Sequence, residues 1–210
     1  MNKNILIVKN LSLSYKDKTI FENISFEILQ NTINFIVGPN GSGKTSLLKT
    51  LFFNSEKYFK TQDIQFVWEF QNFYDELSVL QNLKIYFNLN IRKKLNFDEN
   101  LKNIFKYWNF KEYLSKQIKN LSYGYRHRTL ISRAIITEPD ILLIDEPFLG
   151  LDYSSYTSFL KILKDYSNKI TFLISTQNPK VIDELTENTK YKQKQITLNS
   201  QISMFTIYRD

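Results

Sequence analysis

Eight consecutive residues, Gly38-Pro39-Asn40-Gly41-Ser42-Gly43-Lys44-Thr45, combine three glycines with a lysine and a hydroxyl in the pattern G-x-x-x-x-G-K-[ST]. Glycine permits left-handed backbone and the close approach of another group. Backbone N–H groups wrapped in this way, opening onto a helix N-terminus, favour a phosphate-type anion. Lys44 would reach the terminal phosphates of a nucleotide, and the Thr45 hydroxyl would take one position on Mg2+. Ser46 follows in the same first turn, so Gly38 through Ser46 are the candidate nucleotide-binding residues.

A second group lies a hundred residues on. Ile141-Leu142-Leu143-Ile144 is an aliphatic run that ends in Asp145-Glu146-Pro147. A buried strand that stops at an acidic pair delivers that pair to the C-terminal edge of its sheet. Asp145 would hold Mg2+, directly or through water, and Glu146 would polarise an attacking water. The chain has only five glycines, and the two outside the first turn are Gly124 and Gly150. Average usage would give about three times as many, so the positions that kept glycine mark where chemistry is expected.

The elements that must position these residues alternate between strand and helix. Residues 5–8 read as a strand, and Ile24, Phe26 and Ile28 alternate with more polar neighbours at period two. Residues 33–37 form a strand that feeds the glycine turn, and a helix opens near Lys44. Residues 64–67 are a further strand. From about 79 to 118 the pattern turns helical and aromatic. A helix over 123–137 leads through Glu138-Pro139-Asp140 into the strand at 141–144, which suits a central parallel position. A helix at 154–166 and a strand at 170–174 follow. Asn178-Pro179 predicts an N-cap with Pro at the first helical position, and residues 196–208 read as one or two strands.

Leu121-Ser122-Tyr123-Gly124-Tyr125-Arg126-His127-Arg128 contains the fourth glycine. Here the chain resembles the ATPases of ABC transporters, whose signature runs L-S-G-G-Q-x-x-R. Leu121, Ser122, Gly124 and Arg128 match, while Tyr123 and Tyr125 depart from it. Phe148-Leu149-Gly150-Leu151-Asp152 resembles that family's D-loop, with Asp152 at its aspartate. Tyr15 matches the aromatic that stacks on adenine. The resemblance spans residues 5 to 187.

The resemblance implies an α/β fold: a P-loop NTPase core with a mostly parallel central sheet, an N-terminal antiparallel β subdomain and an inserted helical subdomain. Residues 1–210 would form one ATPase domain, with the insertion at about 72–120. Two subunits would sandwich ATP and Mg2+, with Ser122 and Gly124 of one capping the γ-phosphate held by the other. The partners implied are a transmembrane permease subunit and a second ATPase subunit, as homodimer or heterodimer, on the cytoplasmic face of the cell membrane. Soluble ABC proteins of DNA repair or translation carry a long coiled-coil insertion or a second ATPase domain, and this length suits neither. Nothing in these residues selects a cargo, or import over export.

Two family positions are altered. The histidine that contacts the γ-phosphate is replaced by Gln177, in Ser175-Thr176-Gln177. Glu76-Leu77-Ser78-Val79 resembles the stretch after the family's Q-loop, and counting back puts Glu69 or Phe70 at the glutamine site, with Gln71 two residues off. A Glu69 carboxylate could still ligate Mg2+. The catalytic set expected is Glu146, Gln177, Ser122, Gly124 and Asp152. Gln177 cannot carry positive charge as imidazole does, so slow hydrolysis is expected. The alternative is a degenerate subunit that binds ATP as a switch with little turnover. The lone histidine, His127, reads as a surface residue of the signature helix. The aromatic segment with Phe70, Phe73, Tyr74 and Tyr86 is a candidate docking surface.

Composition bounds the rest. A chain of 210 residues with 42% hydrophobic content can bury a core without staples. There is no cysteine, hence no disulfide frame and no thiolate chemistry. The N-terminal ten residues lack the apolar core of a signal peptide, and no apolar run approaches a bilayer span, so the chain is read as soluble. The net charge is +7. A basic balance can serve nucleic acid or an anionic membrane. The runs Arg92-Lys93-Lys94 and Lys190/Lys192/Lys194 are short and lack interleaved stacking aromatics. The charge is therefore read as lysine on solvated faces, with no nucleic-acid partner.

Overall fold

In the computed structural model two layers of apolar side chains lie on either side of one mixed sheet. The structure describes residues 3–209 apart from 17, 69–72, 109–110, 188–190 and 199–200; the side chains of Tyr15, Tyr191 and Arg209 also lie outside that description.

The chain opens with a hairpin of two long antiparallel strands, β1 (Asn4–Tyr15) and β2 (Lys18–Leu29). Both are longer than the sequence pattern indicates. Register shifts interrupt the pairing, and Asn10 and Asn23 take positive φ. Such bulges break strict alternation, so only 24–28 shows clean period two. The inward face, with Phe21, Ile24, Phe26 and Ile28, is buried.

β3 (Ile33–Val37) leads through the glycine turn into α1 (Lys44–Phe53) and a short α2 (Ser55–Tyr58) that carries no sequence signal of its own. β4 (Ile64–Val67) follows. Between residues 79 and 120 the described residues contain α3 (Val79–Asn90), α4 (Phe97–Phe105) and two single 3-10 turns, with no strand. Ser78 closes a capping box with Gln81 at the start of α3.

α5 (Tyr123–Ile135), β5 (Ile141–Ile144), α6 (Tyr153–Tyr166), β6 (Thr171–Thr176) and α7 (Lys180–Thr186) complete the core. Pro179, expected at the first helical position, stands at the N-cap of α7, while the Asn178 side chain accepts from the Lys180 N–H. The tail forms the antiparallel pair β7 (Tyr191–Thr197) and β8 (Ser203–Arg209).

The sheet order is β4-β5-β6-β3-β8-β7. The first four strands are parallel and the last two antiparallel. Alternation along the parallel strands splits the core. Phe35, Leu142, Ile144, Phe172 and Ile174 face α3, α5, α6 and α7. Ile36, Ile141, Leu143 and Leu173 face α1 and the hairpin. Strands covered on both faces read as unbroken apolar runs, as 141–144 does. Among the described residues no helix is long and apolar enough to cross a membrane.

Lys93, expected on a solvated face, is instead an ionic hub. Its ammonium lies 2.8 Å from Asp140 and 3.6 Å from Asp63, and donates to the Glu138 carbonyl at 2.6 Å. It ties the loop after α3 to the turn before β5. Burial raises the Asp63 carboxyl above the usual range, against the pull of Lys93.

Candidate active site

Register assembles the site. β5 and β6 pair Ile144 with Ile174, so one step further Asp145 stands abreast of Ser175. β3 and β6 pair Val37 with Thr176, which sets Gly38 and Gln177 at the same edge. Period two then selects the face: Ile141, Leu143 and Asp145 point to the α1 side, as do Leu173 and Ser175. Alternation would send Glu146 the other way. A φ of +46° breaks the strand there, and the Glu146 carboxylate comes within 3.1 Å of the Lys44 ammonium.

The turn behaves as its composition requires. Gly41 has φ +78° and Gly43 φ +100°. A Cβ on Gly43 would stand 2.4 Å from the Ile20 side chain, so both backbone angle and space demand glycine there. Gly43 is the N-cap of α1, whose first N–H groups have no intrahelical acceptor. The buried Lys44 donates to the Gly38 and Pro39 carbonyls at 2.8 and 3.1 Å. Glu146 adds an ion pair to these two hydrogen bonds. Ser42 is buried and its Oγ has no partner.

Thr45 donates to Asp145, its Oγ1 lying 3.0 and 2.8 Å from the two carboxylate oxygens. Ser175 Oγ donates to Asp145 Oδ1 at 2.5 Å and accepts the Glu146 N–H at 2.9 Å. Ser175 was not among the residues singled out by sequence. The available signal was a polar residue ending an apolar strand that lies beside the acidic pair.

The remaining candidates divide. Gln177 is exposed just past β6, at the same sheet edge. Tyr15 is the last residue of β1; its side chain lies outside the described residues, as do Glu69, Phe70 and Gln71. Ser122 is the N-cap of α5, as expected, but its hydroxyl makes no capping bond. Among the described residues, the signature segment meets the D-loop, and Arg126 pairs with Asp75. A Cβ on Gly150 would lie 2.8 Å from the Tyr123 ring, and Arg128 sits 3.8 Å from Asp152. Asp152 is the N-cap of α6, accepting from the Ser155 N–H at 2.7 Å. That bond holds its carboxyl below the usual range. Tyr125 stacks on Tyr113 at 3.6 Å and lies under the Arg128 guanidinium.

One expectation is corrected. His127 is half-buried rather than a plain surface residue: its ring stacks on Tyr123, its Nδ1 is buried without a partner, and burial pushes its pKa down to about 4. Phe73 and Tyr86 are half-buried and flank the buried Arg133 guanidinium at 4.8 and 4.5 Å. Tyr74 alone of the described rings in that segment is exposed.

A family model described as "ABC transporter" matches residues 21–149. This chain belongs to the ABC transporter ATP-binding family. The cassette is 31% identical to a zinc import ATP-binding protein, ZnuC, of Ehrlichia canis, over 87% of the chain and 74% of that protein. It is 27% identical to the lipoprotein-releasing system ATP-binding protein LolD of Buchnera aphidicola, over 93% of the chain and 98% of that protein. Among solved structures, a dimeric ATP-binding cassette bound to ADP and Pi superposes with a TM-score of 0.71 at 21% identity, over 84% of this chain and 90% of that one. The cassette is an ATP-binding and hydrolysing transport subunit, as its family is. The relatives lend no support to the switch-only alternative.

Proposed function

We propose that the cassette binds ATP with Mg2+ on residues 38–46 and hydrolyses it with Glu146 as the base. The observation that carries this is the convergence of Lys44, Thr45, Asp145 and Glu146 at one end of the parallel sheet. The residues fit the ligands. The orphaned Ser42 hydroxyl and the α1 amides suit a phosphate chain. The hydroxyl and carboxylate of Thr45 and Asp145 suit a hard cation. When bound, Mg2+ would neutralise charge on the terminal phosphates. Lys44 would exchange its loop carbonyls and Glu146 for phosphate oxygens, which frees the Glu146 carboxylate to accept a proton from water. Gln177 would hold that water or a phosphate oxygen by its amide.

Residues 1–210 act as one cassette, with residues 72–120 as its helical insertion. Ser122 and Gly124 of one subunit would cap the γ-phosphate held by another, in a homodimer or heterodimer that closes on ATP and opens after hydrolysis. Closure would drive a transmembrane permease subunit from the cytoplasmic face. The relatives' names point to different cargoes, zinc and lipoproteins, so the shared machinery does not set the cargo. Glu146→Gln tests the hydrolytic role. It should lower steady-state turnover at least about a hundred-fold while ATP affinity stays within a few-fold of native. Unchanged turnover would remove Glu146 as the base.

A further inference from the structure

The two acids of the site share one neighbour. Ser175 is fully buried in β6, and its hydroxyl has a donor on one side and an acceptor on the other. It donates to Asp145 Oδ1 at 2.5 Å and accepts the Glu146 N–H at 2.9 Å. A serine hydroxyl carries one proton and two lone pairs, so both bonds can form together and each fixes the direction of the other.

Each bond answers a specific need. Asp145 already accepts from Thr45. A carboxylate held by a single flexible hydroxyl can rotate, whereas two donors from different elements set its plane. Glu146 has φ +46° without being glycine, a conformation that is costly for an L-residue unless something holds it. The part-buried N–H of this residue finds its acceptor in Ser175 Oγ. The left-handed turn is also what brings the Glu146 carboxylate toward Lys44.

We propose that Ser175 is a positioning residue that fixes the Asp145 carboxylate and the Glu146 turn together, and so sets both metal affinity and the aim of the base. Ser175 touches neither substrate nor metal in this account. It acts as the outer partner that orients an inner ligand, a role whose loss commonly lowers metal affinity or activity about 10- to 100-fold. The proposal rests on Asp145 and Glu146 having the roles assigned above.

The test compares Ser175→Thr with Ser175→Val. Both add the same methyl to the same buried strand position and differ only in the hydroxyl. Mn2+ binding to the ATP-loaded protein is read by electron paramagnetic resonance, ATP affinity is measured in EDTA, and turnover is titrated with Mg2+. Thr should stay within about three-fold of native throughout. Val should weaken Mn2+ binding and lower kcat about ten-fold or more, with metal-free ATP affinity unchanged. If Val does not fold, Ser175→Ala replaces it, judged against native by the same readings. Equal Mn2+ affinity and kcat in Thr and Val would overturn the proposal. Asp145→Asn is run alongside: Mn2+ binding insensitive to that change would instead reject the assignment of the metal position itself.

Discussion

At the scale of single residues, burial decides what each polar group can do. Lys44 is buried beside the Gly38 and Pro39 carbonyls and the Glu146 carboxylate, which suits the phosphate contact proposed for it. His127 is half-buried with its Nδ1 buried and unpartnered, and its depressed pKa has a consequence for the folded state. In the unfolded chain this histidine takes a proton near pH 6.5, whereas in the folded chain it does so only near pH 4. The unfolded state therefore binds more protons between those values, so stability is full above about pH 6.5 and falls as the pH drops toward 4. The loss should reach about 2 kcal/mol by pH 5. Urea unfolding from pH 7 to pH 5 should show native protein losing that much more than His127→Gln. Parallel losses in the two proteins would show that burial does not hold the histidine neutral. The sequence could not disclose this. His127 lies on a helix whose polar neighbours suggest exposure, and its partial burial comes only with tertiary packing.

At the scale of elements, the signature helix and the D-loop are joined within one chain. Tyr123 stands where the family signature has its first glycine, and its ring fills the space above Gly150. Arg128 and Asp152 form a looser second link. Gly150→Ala would set a Cβ against that ring at a φ of +71°. The backbone cost alone is about 1–2 kcal/mol, a fall in Tm of roughly 2–8 °C. Adding Tyr123→Gly should return the steric part of the loss and leave the backbone part. An additive double mutant would show that the two residues do not sense each other. The elements themselves were legible where period and punctuation agreed. The apolar run into Asp145-Glu146 and the glycine turn into α1 fall within a residue of the sequence reading. The hairpin strands were under-read because their bulges interrupt alternation. α2 and the Lys93 hub left no signal, since one is a single turn and the other depends on contacts between distant segments.

At the scale of the whole molecule, one sheet edge gathers the phosphate loop, the acidic pair and Gln177, while the signature segment packs against the D-loop, Asp75 and Tyr113. That arrangement is compatible with the composite site proposed above, in which each subunit would grip one nucleotide and cap another. Three parallel strands in register, β5, β6 and β3, deliver the grip. In the sequence, glycine spacing and an acidic strand end mark the proposed members of the site. The sequence did not disclose Ser175, whose meaning comes from standing abreast of Asp145 across the sheet. Equilibrium titration of purified protein with a fluorescent ATP analogue and Mg2+, native beside Lys44→Ala, tests the central claim most directly. Native protein should bind below millimolar concentration, and Lys44→Ala should bind at least about ten-fold more weakly. No affinity in native protein at millimolar nucleotide, or equal affinity in both, would contradict the account.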